Sequence, residues 1–298
     1  MRKSITNKSL VLIVAFLSIL TGYACAQEKK KPSKEICITF NELPASLGFG
    51  KVDVNAVNYL ILQSLKNHGV KAAGFVVGNQ IGENYDILGK WLNDGHVLGS
   101  MTNSNQDLHQ IDVGSFLQQV SSGAESLEPM LSGFGQKKRY FRFPYMHYGT
   151  KVEDKDVIFV FLEEQNQIVA HATILLDDYL FNLHLEKLGK EPDSARLEQL
   201  RDEYLEHLEA AVEDAEFKSK DLVGKNCRQI LLLRANRLNA IFLEDILYLL
   251  EFLEYKFVTL ERALKDPLYT KSEAYFESQG VGFLDMILLS DPDLLPAE

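Results

Sequence analysis

The sequence predicts an α/β fold in which parallel strands are joined by crossover helices. Seven apolar runs of strand length recur along the chain, and amphipathic runs of helical period separate them. Hydrophobic residues make up 46% of the 298, enough for one large core. This periodicity fits a (β/α) barrel with seven strands and also a doubly wound open sheet.

The elements follow in order. Arg2, Lys3 and Lys8 precede an apolar stretch over 10–20 and then Ala24-Cys25-Ala26, a small-x-small cleavage pattern. Residues 1–26 are therefore expected to be a signal peptide and the mature chain to begin at Gln27. The stretch is short for a membrane span, so no integral span is expected after cleavage. Lipidation of Cys25 is the second choice, because Tyr23 stands where such signals carry a small residue. Residues 27–34, Lys-rich with one proline, read as a tether, and 35–298 as the folded domain. Strands are expected over 36–40, 72–77, 96–99, 140–143, 168–174, 229–233 and 256–259. Between them, 55–68 carries Val57, Leu60, Ile61 and Leu65 at helical spacing, and 238–254 is a second helix. Residues 177–223 break the rhythm with a charged helix over 194–218, laced with i,i+4 pairs of opposite charge and expected to pack outside the barrel.

Loss of the signal would leave 28 Lys and Arg against 42 Asp and Glu, a net charge of −14. Such a surface repels phosphate backbones and excludes nucleic acid as a partner; glycans remain permitted. Cys37 and Cys227 would remain. Both lie in apolar, strand-like runs, where buried free thiols are the expected outcome even in an exported protein.

Four segments close predicted strands: Thr39-Phe40-Asn41-Glu42, Gly99-Ser100-Met101-Thr102-Asn103-Ser104-Asn105, Arg142-Phe143-Pro144-Tyr145 and Leu232-Leu233-Arg234-Ala235-Asn236. In this order they resemble the polysaccharide deacetylases of the NodB-homology group, carbohydrate esterase family 4. Residues 65–78, 91–96, 238–240 and 255–264 continue the likeness, so it spans roughly residues 35 to 268. The resemblance implies a distorted seven-stranded (β/α) barrel with its site at the carboxyl ends of the strands.

It also implies a reaction: metal-dependent hydrolysis of acetamide or acetyl ester groups on glycans. In the family, one Asp and two His hold a divalent metal such as zinc, a second Asp takes a proton from the bound water and a separate His donates one to the leaving group. Residue by residue, the proton-accepting Asp is Asn41 here, the metal-binding Asp is Glu42, the metal-binding His are Met101 and Asn105, and the proton-donating His is Arg234. An amide is no general base. A thioether and an amide oxygen are poor partners for zinc, and a guanidinium releases no proton near neutral pH. No bound metal is therefore expected at these positions.

Thr39, Phe40, Gly99, Thr102, Ser104, Asp107, Leu108, Arg142, Pro144, Tyr145, Ala235 and Asn236 keep the family pattern. The resemblance gives Arg142 the role of orienting the catalytic carboxylate and places the Tyr145 backbone amide in the oxyanion hole. Phe143, Pro144 and Tyr145 are expected at the substrate wall. Glu42 is the one carboxylate left among the matched catalytic and metal-binding positions, so Arg142 and Arg234 are expected to share it. His96, His109, His147 and His171 are expected to be exposed or hydrogen-bonded. A displaced metal site of His147 and His109 with Glu42 is the less favoured alternative. Asp177 and Asp178 either line the cleft or, as preferred, mark a helix start.

Three functions are open to such a chain. It can be a degenerate family member that still binds glycan, an active deacetylase with a remodelled site, or an exported scaffold.

Overall fold

The computed structural model describes residues 34–46, 52–190, 192–290 and 292–294. The expected signal peptide, Cys25 and residues 27–33 of the expected tether lie outside them. Residues Lys34–Glu298 fall in one compact unit. No helix among the described residues is long and apolar enough to cross a membrane.

Strand β1, Lys34–Leu43, is buried along most of its length and organises the sheet. On one edge it pairs with β7, Gln229–Arg234. On the other it pairs first with β8, Tyr255–Phe257, and then with β2, Ala73–Val76. Strands β3, Val97–Ser100, β4, Arg139–Phe141, and β5, Gln167–Val169, follow outward from β2, while β6, Ile174–Leu175, lies beyond β7. Every pairing is parallel.

The two ends of this sheet belong to one stretch of chain. Residues 170–173 join β5 to β6; Ala170 N donates to Phe141 O on one side and Thr173 N to Ile230 O on the other. The sheet thus curls back on itself into the expected barrel. The single strand expected over 168–174 is two short strands because it leaves β4 and joins β7 midway. Its seam is covered by the C-terminal segment, where Phe283 N donates to Ala172 O and the Phe283 ring stacks 4.1 Å from His171.

Alternation along β1 sorts the core. Ile36, Ile38 and Phe40 face the helices, and the Phe40 ring meets Trp91 edge-on at 5.5 Å. Thr39 and Asn41 face the barrel interior, where both accept from Arg142. Helix α1, Val54–Asn67, is capped by Asp53, whose side chain accepts from Ala56 N. Its buried face differs from expectation: Leu60 is exposed, while Asn58 is buried, donating to Pro44 O and accepting from Trp91 Nε1. A polar residue satisfied on both sides takes the place that periodicity gave to a leucine. Helix α2, Tyr85–Asn93, brings Trp91 to that contact.

Helix α3, Val113–Gly133, crosses the turn after β3 at Gly123. A β-carbon there would lie 2.5 Å from the Thr102 carbonyl carbon and 2.6 Å from its oxygen. In an open helix Gly→Ala stabilises by about 1 kcal/mol. Here the sign should reverse, and Gly123→Ala should cost about 1–3 kcal/mol in a denaturant titration, because backbone must move.

Helix α4, Val152–Glu164, precedes β5, and α5, Asp178–Leu188, follows β6. The charged helix expected over 194–218 is α6, Ser194–Val223, longer by one turn and ended by Gly224 at φ 70°. It packs outside the barrel on a stripe of Leu200, Tyr204, Leu208, Val212 and Ala215. The Tyr204 hydroxyl donates to Asn239 Oδ1 on α7, Arg237–Phe252. Cys37 and Cys227 are buried free thiols, each pushed up to about 12 by burial.

Candidate active site

All four singled-out segments meet at the carboxyl ends of β1, β3, β4 and β7, where they wall a cleft of about 600 Å³. Seven non-glycine residues in the described chain have positive φ; four lie in these segments, Glu42, Thr102, Asn105 and Tyr145, and a fifth, Met146, directly follows the third. Left-handed backbone costs a side-chain-bearing residue about 1–3 kcal/mol and concentrates at functional sites. Here it turns the chain sharply after β1, β3 and β4.

Arg142 enters the barrel interior and is fully buried. Its Nε donates to Ala170 O at 2.9 Å, Nη1 to Thr39 Oγ1 at 2.7 Å and to Asn41 Oδ1 at 3.1 Å, and Nη2 to His171 O at 3.3 Å. The Phe75 ring lies 4.1 Å below its guanidinium carbon. Desolvation lowers Arg142 to about 10. Every acceptor is neutral, and among the described residues Arg142 forms no ion pair with Glu42. The expected three-way sharing of Glu42 is corrected in that half: Arg142 lies deeper than Glu42 and closes the barrel around Asn41.

Arg234 supplies the other half. The β1–β7 register sets Asn41 beside Arg234, and Arg234 Nε lies 3.5 Å from Glu42 Oε1. Its stronger partner is Asp178, which accepts from the Arg234 backbone N at 2.7 Å and from Nη1 in a short contact. Asn239 Nδ2 donates to the same carboxylate at 2.6 Å. Burial opposes the Arg234 charge, but Asp178 and Glu42 outweigh it and hold the guanidinium above its ordinary value. Asp178 is fully buried at the first turn of α5. The expected helix-start role holds for it, yet the same carboxylate also fixes the cation of the cleft. Asp177 stays largely exposed.

Glu42 Oε2 accepts a short hydrogen bond from Ser46 Oγ. Met101 is buried and lines a smaller cavity beneath the cleft with Asn41. Asn105 lines the cleft, and its Oδ1 is buried without a hydrogen-bond partner. The family's metal positions therefore offer one carboxylate already engaged by a hydroxyl and a guanidinium, one thioether and one amide. This set does not fit zinc, whose sites take thiolate, imidazole and carboxylate donors.

Phe143 and Pro144, expected at the substrate wall, are both buried. The Phe143 ring stacks on Tyr148 at 4.4 Å and on Phe159 at 5.8 Å, so it builds the core under the turn and does not line the cleft. Tyr145 alone of the three reaches the cleft, with half its surface exposed. Tyr179, equally exposed, lines the same cleft, and the Arg234 guanidinium carbon lies 5.2 Å from its ring centroid.

The histidines are engaged. His96 Nδ1 accepts from Ala72 N at 3.1 Å, and burial lowers it to about 4. His171 Nδ1 lies 3.0 Å from the Tyr148 hydroxyl and falls to about 3 through burial and then Arg142. His147 Nδ1 lies 2.7 Å from Asp107 Oδ1, and its ring stacks on His109 at 4.0 Å. The third group beside these two histidines is Asp107, where Glu42 had been the alternative considered.

A polysaccharide deacetylase family model matches residues 28–157. Among curated proteins, a peptidoglycan-N-acetylglucosamine deacetylase of Bacillus cereus is 30% identical over 123 residues, 41% of this chain and 40% of that protein. The chain thus matches about two fifths of that relative's length. Among solved structures, a CE4 family pseudoenzyme from Bacillus anthracis superposes with a TM-score of 0.55 at 15% identity, covering 78% of this chain and 66% of that one. A mutant of the same protein, described as having restored enzymatic activity, gives 0.55 at 15%, covering 78% and 68%. At such identity these structures establish the fold alone.

Proposed function

Because the chain belongs to the polysaccharide deacetylase family, we propose that it is an exported member that binds N-acetylated glycan in the old substrate cleft and does not deacetylate it. One observation carries this reading. The Arg234 guanidinium stands where the family has its proton-donating histidine, fixed by Asp178 and beside Glu42, in a cleft that remains open.

The chemistry lost and the surface kept separate cleanly. Asn41 takes no proton from water, and its oxygen is already engaged by Arg142. Arg234 holds its proton throughout the neutral range. Tyr145 and Tyr179, each half exposed, flank the cleft and suit the apolar faces of pyranose rings. Glu42, Asn105 and Arg234 offer acceptors and donors to hydroxyl and acetamide groups. A collapsed cleft would have favoured a scaffold without ligand. The bacterial relative acts on peptidoglycan N-acetylglucosamine by name, so β-1,4-linked N-acetylglucosamine is the first ligand to test.

Calorimetry with chitooligosaccharides and peptidoglycan fragments should show saturable binding. Tyr145→Ala should weaken it about tenfold, roughly 1.4 kcal/mol, while leaving the thermal midpoint within about a degree. Binding that survives unchanged would remove Tyr145 from the glycan surface.

An active deacetylase with a remodelled site is the second reading. It draws on His147, which lines the cleft and is hydrogen-bonded to Asp107 as a carboxylate-imidazole pair. That reading requires acetate release that His147→Ala abolishes.

A further inference from the structure

We propose that Asp107, His109 and His147 form a metal site at the rim of the cleft, displaced from the family's positions and suited to zinc or a similar borderline divalent ion. One ligand atom from each residue lies within 4.8 Å of the other two. The set of one carboxylate and two imidazoles is the kind that holds zinc with a coordination position left open. This inference does not rest on the glycan-binding reading, because none of its three ligands is a residue that carries it.

Local structure brings the three donors together from two strand-end loops. Asp107 caps the short turn Leu108–Gln110, accepting from His109 N at 2.9 Å, which sets the carboxylate and the first imidazole side by side. Tyr145 and Met146, both left-handed, fold the loop after β4 back so that His147 lies over His109. Gly280 packs against this loop; a β-carbon there would meet Tyr145 O at 2.0 Å. The C-terminal segment thus backs the cluster.

The decisive atom is His109 Nε2, which is buried and has no hydrogen-bond partner. A buried imidazole nitrogen without a partner costs about 1–3 kcal/mol unless something binds it. The rings stack 8° from parallel, so their in-plane lone pairs do not converge. Loading therefore breaks the Asp107–His147 hydrogen bond and turns one ring out of the stack. Three charge-assisted bonds to the ion replace that one contact. Since His147 also lines the cleft, the open coordination position would face the groove and could take a glycan oxygen.

The test uses the full chain, stripped with chelator and titrated with cobalt(II) followed by visible absorption, then with zinc by calorimetry. One equivalent is expected. His109→Ala should weaken it at least about tenfold, the smallest loss usual even for an outer-shell partner, and His147→Ala should do the same. Glu42→Gln and Met101→Leu should leave it unchanged. Should either alanine variant unfold, His109→Gln and Asp107→Asn replace it, each checked by circular dichroism. Absence of binding, or binding that His109 variants leave intact, overturns the site. Binding lost in Glu42→Gln overturns it too, and would instead place the metal at the family's position, against the proposed function.

Discussion

Replacing Arg142 with methionine is expected to lower the unfolding free energy by about 3 kcal/mol. Two large effects oppose each other at this residue. Burying a guanidinium with no carboxylate beside it costs several kcal/mol, as its lowered proton affinity records. Against that stand hydrogen bonds to Thr39, Asn41, Ala170 and His171, each worth about 1.5–3 kcal/mol because the donor is charged. Methionine relieves the first and forfeits the second. It also leaves the Asn41 amide oxygen inside the barrel without its donor, so the loss wins. Denaturant titration reads it, and a variant as stable as the parent would show that the buried cation contributes nothing net.

The same geometry gives Asn41→Asp the opposite sign. A carboxylate at 41 would sit beside the guanidinium that now reaches the amide at 3.1 Å. Arg142 would hold that carboxyl below its unfolded value near 4. The gain should therefore be complete at pH 7, above the unfolded value, and disappear as pH falls through the lowered folded one.

The second large effect is a repair. Asn41→Asp, Glu42→Asp, Met101→His, Asn105→His and Arg234→His, made together in a His109→Ala background that silences the rim cluster, should create a zinc site with a Kd below about 1 μM, roughly 8 kcal/mol of binding. Arg234→His is the step with the most at stake. Asp178 is fully buried and accepts from the Arg234 side chain and backbone. Removing the cation outright, as in Arg234→Ala, should cost about 3–5 kcal/mol because it strands a buried charge. Histidine can remain protonated against Asp178 and keep part of the pair. Met101 lines the cavity beneath the cleft, so an imidazole there has space to reach in. Calorimetry decides the matter: no zinc bound by the five-residue variant means that the strand ends have shifted from the family's geometry.

How far the sequence revealed this arrangement depended on whether a feature was local. Most strands and the four strand-end segments were legible because each is a short run with its own signature. Nearness of Arg234 to Glu42 followed from the family positions the two residues match, where a carboxylate is kept and a cation is new. Asp178 was missed because adjacent acids at a helix start already explain themselves; its link to Arg234 spans 56 residues. Arg142 was assigned to Glu42 because a charge was assumed to need a charge, whereas four neutral acceptors satisfy it. Phe143 and Pro144 were placed on the cleft because they border Tyr145, but the positive φ at Tyr145 turns that side chain away from its neighbours. For Asp107, His109 and His147 the sequence held two of the three residues as an alternative. Only the fold of two loops supplies the third.

The account's central claim is that the cleft binds glycan but moves no protons. Its most direct test is acetate measured over many turnovers, with N-acetylated chitooligosaccharide at saturation and excess zinc. The account predicts ligand bound and acetate at the uncatalysed level, with or without chelator. Sustained acetate release, stopped by chelator and by Glu42→Gln, would contradict it.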